Sequence, residues 1–299
     1  MKYNTIKALA ILFIIVFASC NNTNNNFDAS GSFEAEETII SSEASGVIKQ
    51  FEIKEGQILK AGQPIGYIDS VQLFLKKKQL EAQITALLSK KPNLPIQLAS
   101  LQQQLQTSEK EKVRISNLLK SNSISTKQLD DINAQIEVLK KQIEAQKSTL
   151  SITSQGLNKD ATPLQFQIEQ LKDQLDKCNL INPINGTVLV KYAEENEITA
   201  PGKPLYKIAD LSTLNLRAYI TGNQLPLVKL NQKIKVLTDD GKGGYKETEG
   251  IITWINDKAE FTPKTIQTKD ERANLVYAMK VRVKNEGYFK IGMYGEIKF

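Results

Sequence analysis

The stretch SGVIKQFEIKEGQILKAGQPIGYI, Ser45 to Ile68, lies without a gap over NGTVLVKYAEENEITAPGKPLYKI, Asn185 to Ile208. At this constant offset Gly46 matches Gly186, Glu55 matches Glu195, Ile58 matches Ile198, Gly62 matches Gly202, Pro64 matches Pro204 and Ile68 matches Ile208. Glycine and proline recur where a backbone must turn, so the repeat preserves a chain path rather than a composition. Val47-Ile48, Phe51-Glu52-Ile53 and Ile65 to Ile68 read as short strands separated by Glu55-Gly56 and Ala61-Gly62 turns, and the second copy follows the same course. One small β fold is thus expected in two halves, around an insert whose ends lie side by side.

Composition limits what such a fold can do. The chain has 299 residues, 40% apolar and 24% charged, which is globular and long enough for two or three domains. Its formal charge of +6 drops to +4 without Lys2 and Lys7 of the N-terminal segment, a mild and dispersed excess that supports no nucleic-acid footprint. There is no histidine, so the commonest general base and metal ligand are missing. No catalytic residue, cofactor or metal is therefore expected.

Residues 1–19 read as a targeting segment. Lys2 and Lys7 form a basic start, Ala8 to Ala18 is apolar and too short to span a bilayer, and Ala18-Ser19 precedes Cys20. The segment resembles a bacterial lipoprotein signal peptide, which implies cleavage before Cys20 and lipid on that residue. An ordinary secretory signal with an incidental cysteine is the alternative. Residues 20–30 contain an asparagine-rich run and read as a flexible tether. With Cys20 acylated, Cys178 would be the only thiol, and its place in an apolar seam makes it a small core residue.

The two halves, 31–70 and 179–210, resemble those of a biotinyl or lipoyl carrier domain, in which two quasi-symmetric motifs interlock as a flattened barrel. A carrier presents its modified lysine on the tight turn between the halves. Here residues 71–178 replace that turn. Leu129, Ile132, Ile136, Leu139, Ile143, Gln146 and Leu150 alternate spacings of three and four, as do Leu98, Leu101, Leu105, Ser108, Lys112, Ile115 and Leu119, the pattern of a coiled-coil seam. Nearer the barrel, Leu73, Leu80, Ile84 and Leu87 would face Leu164, Ile168, Leu171, Leu175 and Cys178. Pro92 and Pro95 on the outgoing leg, and Gly156 to Pro163 on the return, predict a break in both legs and hence two stacked helix pairs. The outer pair, Ile96 to Lys120 and Thr126 to Thr149, would extend about 36 Å and the inner pair about 25 Å more.

At the hairpin end Arg114, Leu118 and Ser125 offer a forked cation, an apolar knob and a hydroxyl. The plain alternative is that Leu118 closes the coiled coil, Ser125 caps the return helix and Arg114 is solvated. A split lipoyl-like barrel carrying an inserted hairpin resembles the HlyD-like periplasmic adaptors, also called membrane fusion proteins. In that family Arg-x3-Leu-x6-Ser at the tip docks on a TolC-type outer-membrane channel, and the motif carries over to Arg114, Leu118 and Ser125.

The resemblance continues through residues 211–299. Leu214 to Ile220, Lys233 to Thr238, Glu249 to Ile255, Leu275 to Val283 and Gly292 to Phe299 read as strands of a small β-barrel, with Leu275, Tyr277, Met279, Val281 and Val283 alternating. Any membrane-proximal module must be small or include Phe27 to Ile40. Ala259 to Asn285 is similar to the corresponding stretch of adaptors that serve ABC exporters. The resemblance implies a mainly β chain with an α-helical coiled-coil hairpin. It also implies a non-enzymatic, lipid-anchored periplasmic adaptor that joins an inner-membrane transporter, with ABC permease and ATPase, to a TolC-type channel as a homo-oligomeric ring. A proton-driven pump is the alternative partner. A carrier component of an enzyme, or a structural coiled-coil lipoprotein without transport role, are the readings from other classes.

Overall fold

A computed structural model describes residues 27–120, 123–261 and 275–299. The signal segment, Cys20, the run of asparagines and residues 262–274, including Thr262-Pro263, lie outside the described residues.

The described chain opens with β1 (Ala29–Glu34), whose partners come from the far end of the sequence. The first repeat copy then gives β2 (Glu37–Ser41), β3 (Gly46–Phe51), β4 (Ile58–Leu59) and β5 (Pro64–Ile68). After the insert, the second gives β6 (Asn179–Ile181), β7 (Gly186–Lys191), β8 (Ile198–Thr199) and β9 (Pro204–Ala209). The sheets run β2-β9-β7-β4 and β6-β5-β3-β8, so each is built from both copies and neither copy closes a sheet alone. Ile48, Phe51, Ile68, Val188, Tyr206 and Ile208 are buried between them.

The internal two-fold is visible bond by bond. Gly56 N–H donates to the Val188 carbonyl and its repeat mate Asn196 to the Ile48 carbonyl, both at 2.8 Å. Gly62 donates to Asn182 at 2.7 Å and Gly202 to Ser42 at 2.9 Å. The 55–56 turn needs a left-handed residue, supplied by Gly56 (φ 82) in one copy and Asn196 (φ 70) in the other. Asparagine is among the few side chains that tolerate that region.

The insert forms three helices: α1 (Val71–Leu88), α2 (Leu94–Lys120) and α3 (Thr126–Lys177). Both α1 and α2 pack on α3. The outgoing leg breaks where its prolines predict, between Leu88 and Leu94. The return leg does not break. Its 52 residues run through Gly156 and Pro163 as one helix, about 78 Å long. Ala161 and Ile168, buried on either side of the proline, keep the helix in place by packing, so a local cost of the kind proline imposes is overridden. The arm is therefore two helices stacked along one continuous helix, not two stacked pairs.

The last unit contains β10 (Thr213–Thr221), β11 (Lys233–Asp239), β12 (Tyr245–Ile255), β13 (Glu260–Phe261), β14 (Leu275–Lys284) and β15 (Tyr294–Lys298). Sheet order β10-β1-β15-β11-β12-β14, closed by the β10–β14 pairing, makes a barrel, with β13 added along β14. Phe33, Leu216, Val236, Ile252, Val281 and Ile297 fill it. Two expectations are corrected here. Strand β1 belongs to this barrel, so residues 29–34 are neither tether nor part of the first repeat unit. The alternation along β14 also changes face: Val276 and Ala278 are buried, then Met279, Val281 and Val283, while Leu275 is exposed. Among the described residues, no helix is long and apolar enough to cross a membrane.

Candidate docking site at the end of the helical arm

The arm leaves and re-enters the split barrel through adjacent strands. Ile68 N–H donates to the Cys178 carbonyl at 2.8 Å, and Asp69 N–H to the Val47 carbonyl at 2.8 Å. The carboxylate of Asp69 accepts from the Val71 amide (3.1 Å), the first residue of α1, and pairs with Lys49 of β3 (3.3 Å). The Val71 bond first, and Lys49 second, hold the Asp69 carboxyl below the usual carboxylate range. This orphan donor at the helix start is thus satisfied by a residue that is also tied to the barrel.

At the end of β5 and β6 away from the arm lies a buried polar pair. Asn182 is fully buried; its Nδ2 donates to the carbonyls of Lys60 (2.8 Å) and Ile184 (2.6 Å), and its Oδ1 accepts from the Tyr206 hydroxyl (2.8 Å). Burial pushes the Tyr206 hydroxyl up to about 12. Two acids of the repeat lock the copies reciprocally. Glu195 Oε1 accepts the Phe51 amide and Glu55 Oε1 accepts the Lys191 amide, each at 3.0 Å. Phe51 and Lys191 are themselves repeat mates, a reciprocity that the matched glutamates signal in the sequence but that their spacing alone does not reveal.

Along the arm, Leu98 and Ser108 of α2 and Ile132, Ile136, Leu139 and Leu150 of α3 are buried, as the spacing predicts. Lys112, also in that spacing, is exposed. Nearer the barrel Leu80, Ile168 and Cys178 are buried. Cys178 is a free thiol whose pKa burial raises, which suits a core residue and not a nucleophile.

At the tip the three sequence candidates come to one end of the hairpin. Arg114 and Leu118 are one turn apart on the last part of α2, and Ser125 stands at the start of α3. The Arg114 guanidinium reaches Glu111 at 2.9 Å with its side chain 72% exposed, so that pair is a weak, solvent-screened one. Leu118 is 39% exposed and does not fully close the seam. Ser125 occupies the N-cap position with extended backbone, but its side chain makes no capping bond; the carbonyl, not the hydroxyl, accepts from Gln128 at 3.2 Å. The expected hydroxyl cap is thus corrected, and an exposed cation, apolar side chain and hydroxyl stand together. Among the described residues no group of acidic residues and cysteine is placed to hold a metal.

No protein-family model matches the chain. Over 174 residues it is 27% identical to a UPF0194 membrane protein in the asrC 5′ region of Acidithiobacillus ferridurans, covering 55% of this chain and 51% of that protein. The chain spans about half the length of that relative. Among solved structures it is similar to MacA from Actinobacillus actinomycetemcomitans, with TM-score 0.53 and 20% identity over 90% of this chain and 76% of that one. It is also similar to the membrane fusion protein Spr0693 from Streptococcus pneumoniae R6, with TM-score 0.51 and 15% identity over 90% and 96% of the two chains. Split barrel, inserted helical arm and closing β-barrel together are a fold shared with MacA and with the membrane fusion protein Spr0693.

Proposed function

We propose that the chain is a non-catalytic adaptor of an efflux or export pump, bridging an inner-membrane transporter and a TolC-type outer-membrane channel across the periplasm. The observation that carries this reading is the arm itself. A 52-residue helix, fastened at its base by Asp69 and the Ile68–Cys178 bond, holds Arg114, Leu118 and Ser125 about 78 Å from the split barrel. A rigid lever of this length suits a bridge between two membranes. The tip would dock by Arg114 forking onto backbone carbonyls or carboxylates of the channel, with Leu118 entering a groove between its helices. Lipid on Cys20 would hold the opposite end at the inner membrane.

Several copies would stand side by side as a ring. In support, Val138 and Ile152 of α3 are exposed by 56% and 67%, and Phe166 by 61%. They lie at multiples of seven residues, on the outer side of the helix from its buried seam, as a second apolar stripe for a neighbouring arm. The partner reading is an ABC-type permease with its ATPase, because Ala259 to Asn285 is similar to that stretch in adaptors of such exporters. Arg114→Asp tests the docking role: export and cross-linking to the channel should fall at least tenfold while the protein stays folded and membrane-held. Unchanged export would refute it and favour a structural lipoprotein.

A further inference from the structure

The barrel has two rims. One receives the connections to the split barrel, Glu34 to Glu37 and Ala209 to Thr213. The other is formed by the β10–β11 connection, the end of β12, β13 and the start of β14. Large apolar side chains are exposed on this second rim: Leu227 (62%), Leu230 (59%), Phe261 (79%) and Leu275 (55%), with Trp254 at 37%. Phe261 and Leu275 are direct cross-strand partners. Asn231 N–H donates to the Ile252 carbonyl at 2.8 Å, which places Leu230 beside the end of β12 that carries Trp254. Lys229 and Lys258 are exposed on the same rim, as are the acids Asp28 and Asp257.

The chain enters the barrel at this rim. Gln224 Nε2 donates to the Asp28 carbonyl at 2.6 Å, just before β1. Cys20 is eight residues earlier, so the tether reaches at most about 28 Å. We propose that this rim is a lipid-surface contact, where Leu227, Leu230, Trp254, Phe261 and Leu275 enter the interfacial layer of the bilayer to which the chain is tethered. The inference rests on the anchored-adaptor reading. Apolar and aromatic tips flanked by Lys229 and Lys258 match the chemistry of the headgroup boundary, where Trp is favoured and Lys meets anionic lipid. The tips project from separate turns and strand ends, as suits a surface more than a peptide groove.

Trp254 is the only tryptophan of the chain, so it reports the rim directly. The full chain, native and Cys20→Ser, is mixed with anionic vesicles whose acyl chains carry bromine. Sedimentation reads the anchor, and Trp254 quenching reads the rim. In the membrane-held native chain Trp254 emission should shift to the blue, be quenched by bromine and become at least threefold less accessible to iodide. The Cys20→Ser chain should bind the same vesicles more weakly and lose about tenfold in affinity when Leu227→Asp and Leu230→Asp are combined. Sedimentation of the native chain with Trp254 emission as in water would overturn the proposal. So would a Cys20→Ser chain whose emission no vesicle moves. If the native chain fails to sediment, anchoring fails, and the Cys20→Ser titration still decides the rim. Shielding that arises only in native inner membranes, and not in lipid vesicles, would assign the rim to a protein partner and likewise overturn a lipid contact.

Discussion

Asn182→Ala should loosen the split barrel more than any exposed substitution could. The side chain is fully buried and makes three hydrogen bonds, at 2.6 to 2.8 Å, to Ile184, Lys60 and Tyr206. Removing it strands the hydroxyl of Tyr206, itself fully buried, and the Ile184 carbonyl. A buried polar group left without a partner costs about 1–3 kcal/mol. The Lys60 carbonyl still accepts from the Gln63 amide at 3.1 Å and is exposed, so that loss is smaller. The total is about 3–4 kcal/mol, a large part of the roughly 5–15 kcal/mol that holds a domain. Tyr206→Phe removes only the hydroxyl and should cost about 1–2 kcal/mol, and the double variant should cost less than the two singles together because the partners are removed jointly. The sole tryptophan lies in the other barrel, so hydrogen exchange of the Ile48 and Val188 amides is the suitable readout. A loss under about 1 kcal/mol for Asn182→Ala, or strict additivity in the cycle, would refute the reasoning.

Tyr206 also sets a pH limit. Its folded pKa of about 12 lies above the ordinary tyrosine value, so its contribution is fully present below about pH 10 and is lost as pH rises through 12. Thermal melts between pH 10 and 12 should therefore fall more steeply for the native chain than for Tyr206→Phe, and equal slopes would remove Tyr206 as the cause. In the arm, Leu139→Ala should cost about 2–4 kcal/mol, since Leu139 is buried in the α2–α3 seam. That loss should appear as earlier melting of helix by circular dichroism while Trp254 emission stays native; simultaneous loss of both signals would mean that arm and barrel melt as one unit.

The interrupted repeat made the split barrel legible because its turn residues recur, and the observed hydrogen bonds follow the same offset. The seam was legible for a similar reason: its period matches the helix. What the sequence concealed were effects decided by packing. Strand β1 reads ASGSFE, with only Ala29 and Phe33 buried, so it carries too little pattern to announce itself as a barrel strand. Pro163 looked like a stop because a local rule was applied where two outgoing helices pack along one return helix. In β14 the simple alternation fails where buried residues 278 and 279 face opposite sides. The tip residues were found through a motif, yet the hydroxyl cap expected of Ser125 is replaced by a carbonyl bond that spacing does not predict.

The repeat also departs from symmetry at a buried pair, and that departure bears on how the split barrel is held. Gly66 and Tyr206 are repeat mates. At Gly66 a Cβ would overlap the carbonyl oxygen of Gln50, because β3 and β5 approach closely there. The matching position in the second copy holds the largest fully buried side chain among the described residues, bonded through its hydroxyl to Asn182. Asn182 in turn clamps the Lys60 and Ile184 carbonyls, one from each side of the insert. A symmetric pair of copies would have supplied two equal turns and no preferred partner for the chain returning from α3. The asymmetric pair supplies a polar bolt one residue beyond β6, the strand that follows the long helix directly. The bolt sits opposite Gln63, at the end of β5 and β6 away from the helices, so it acts on the arm only through the split barrel on which the arm stands.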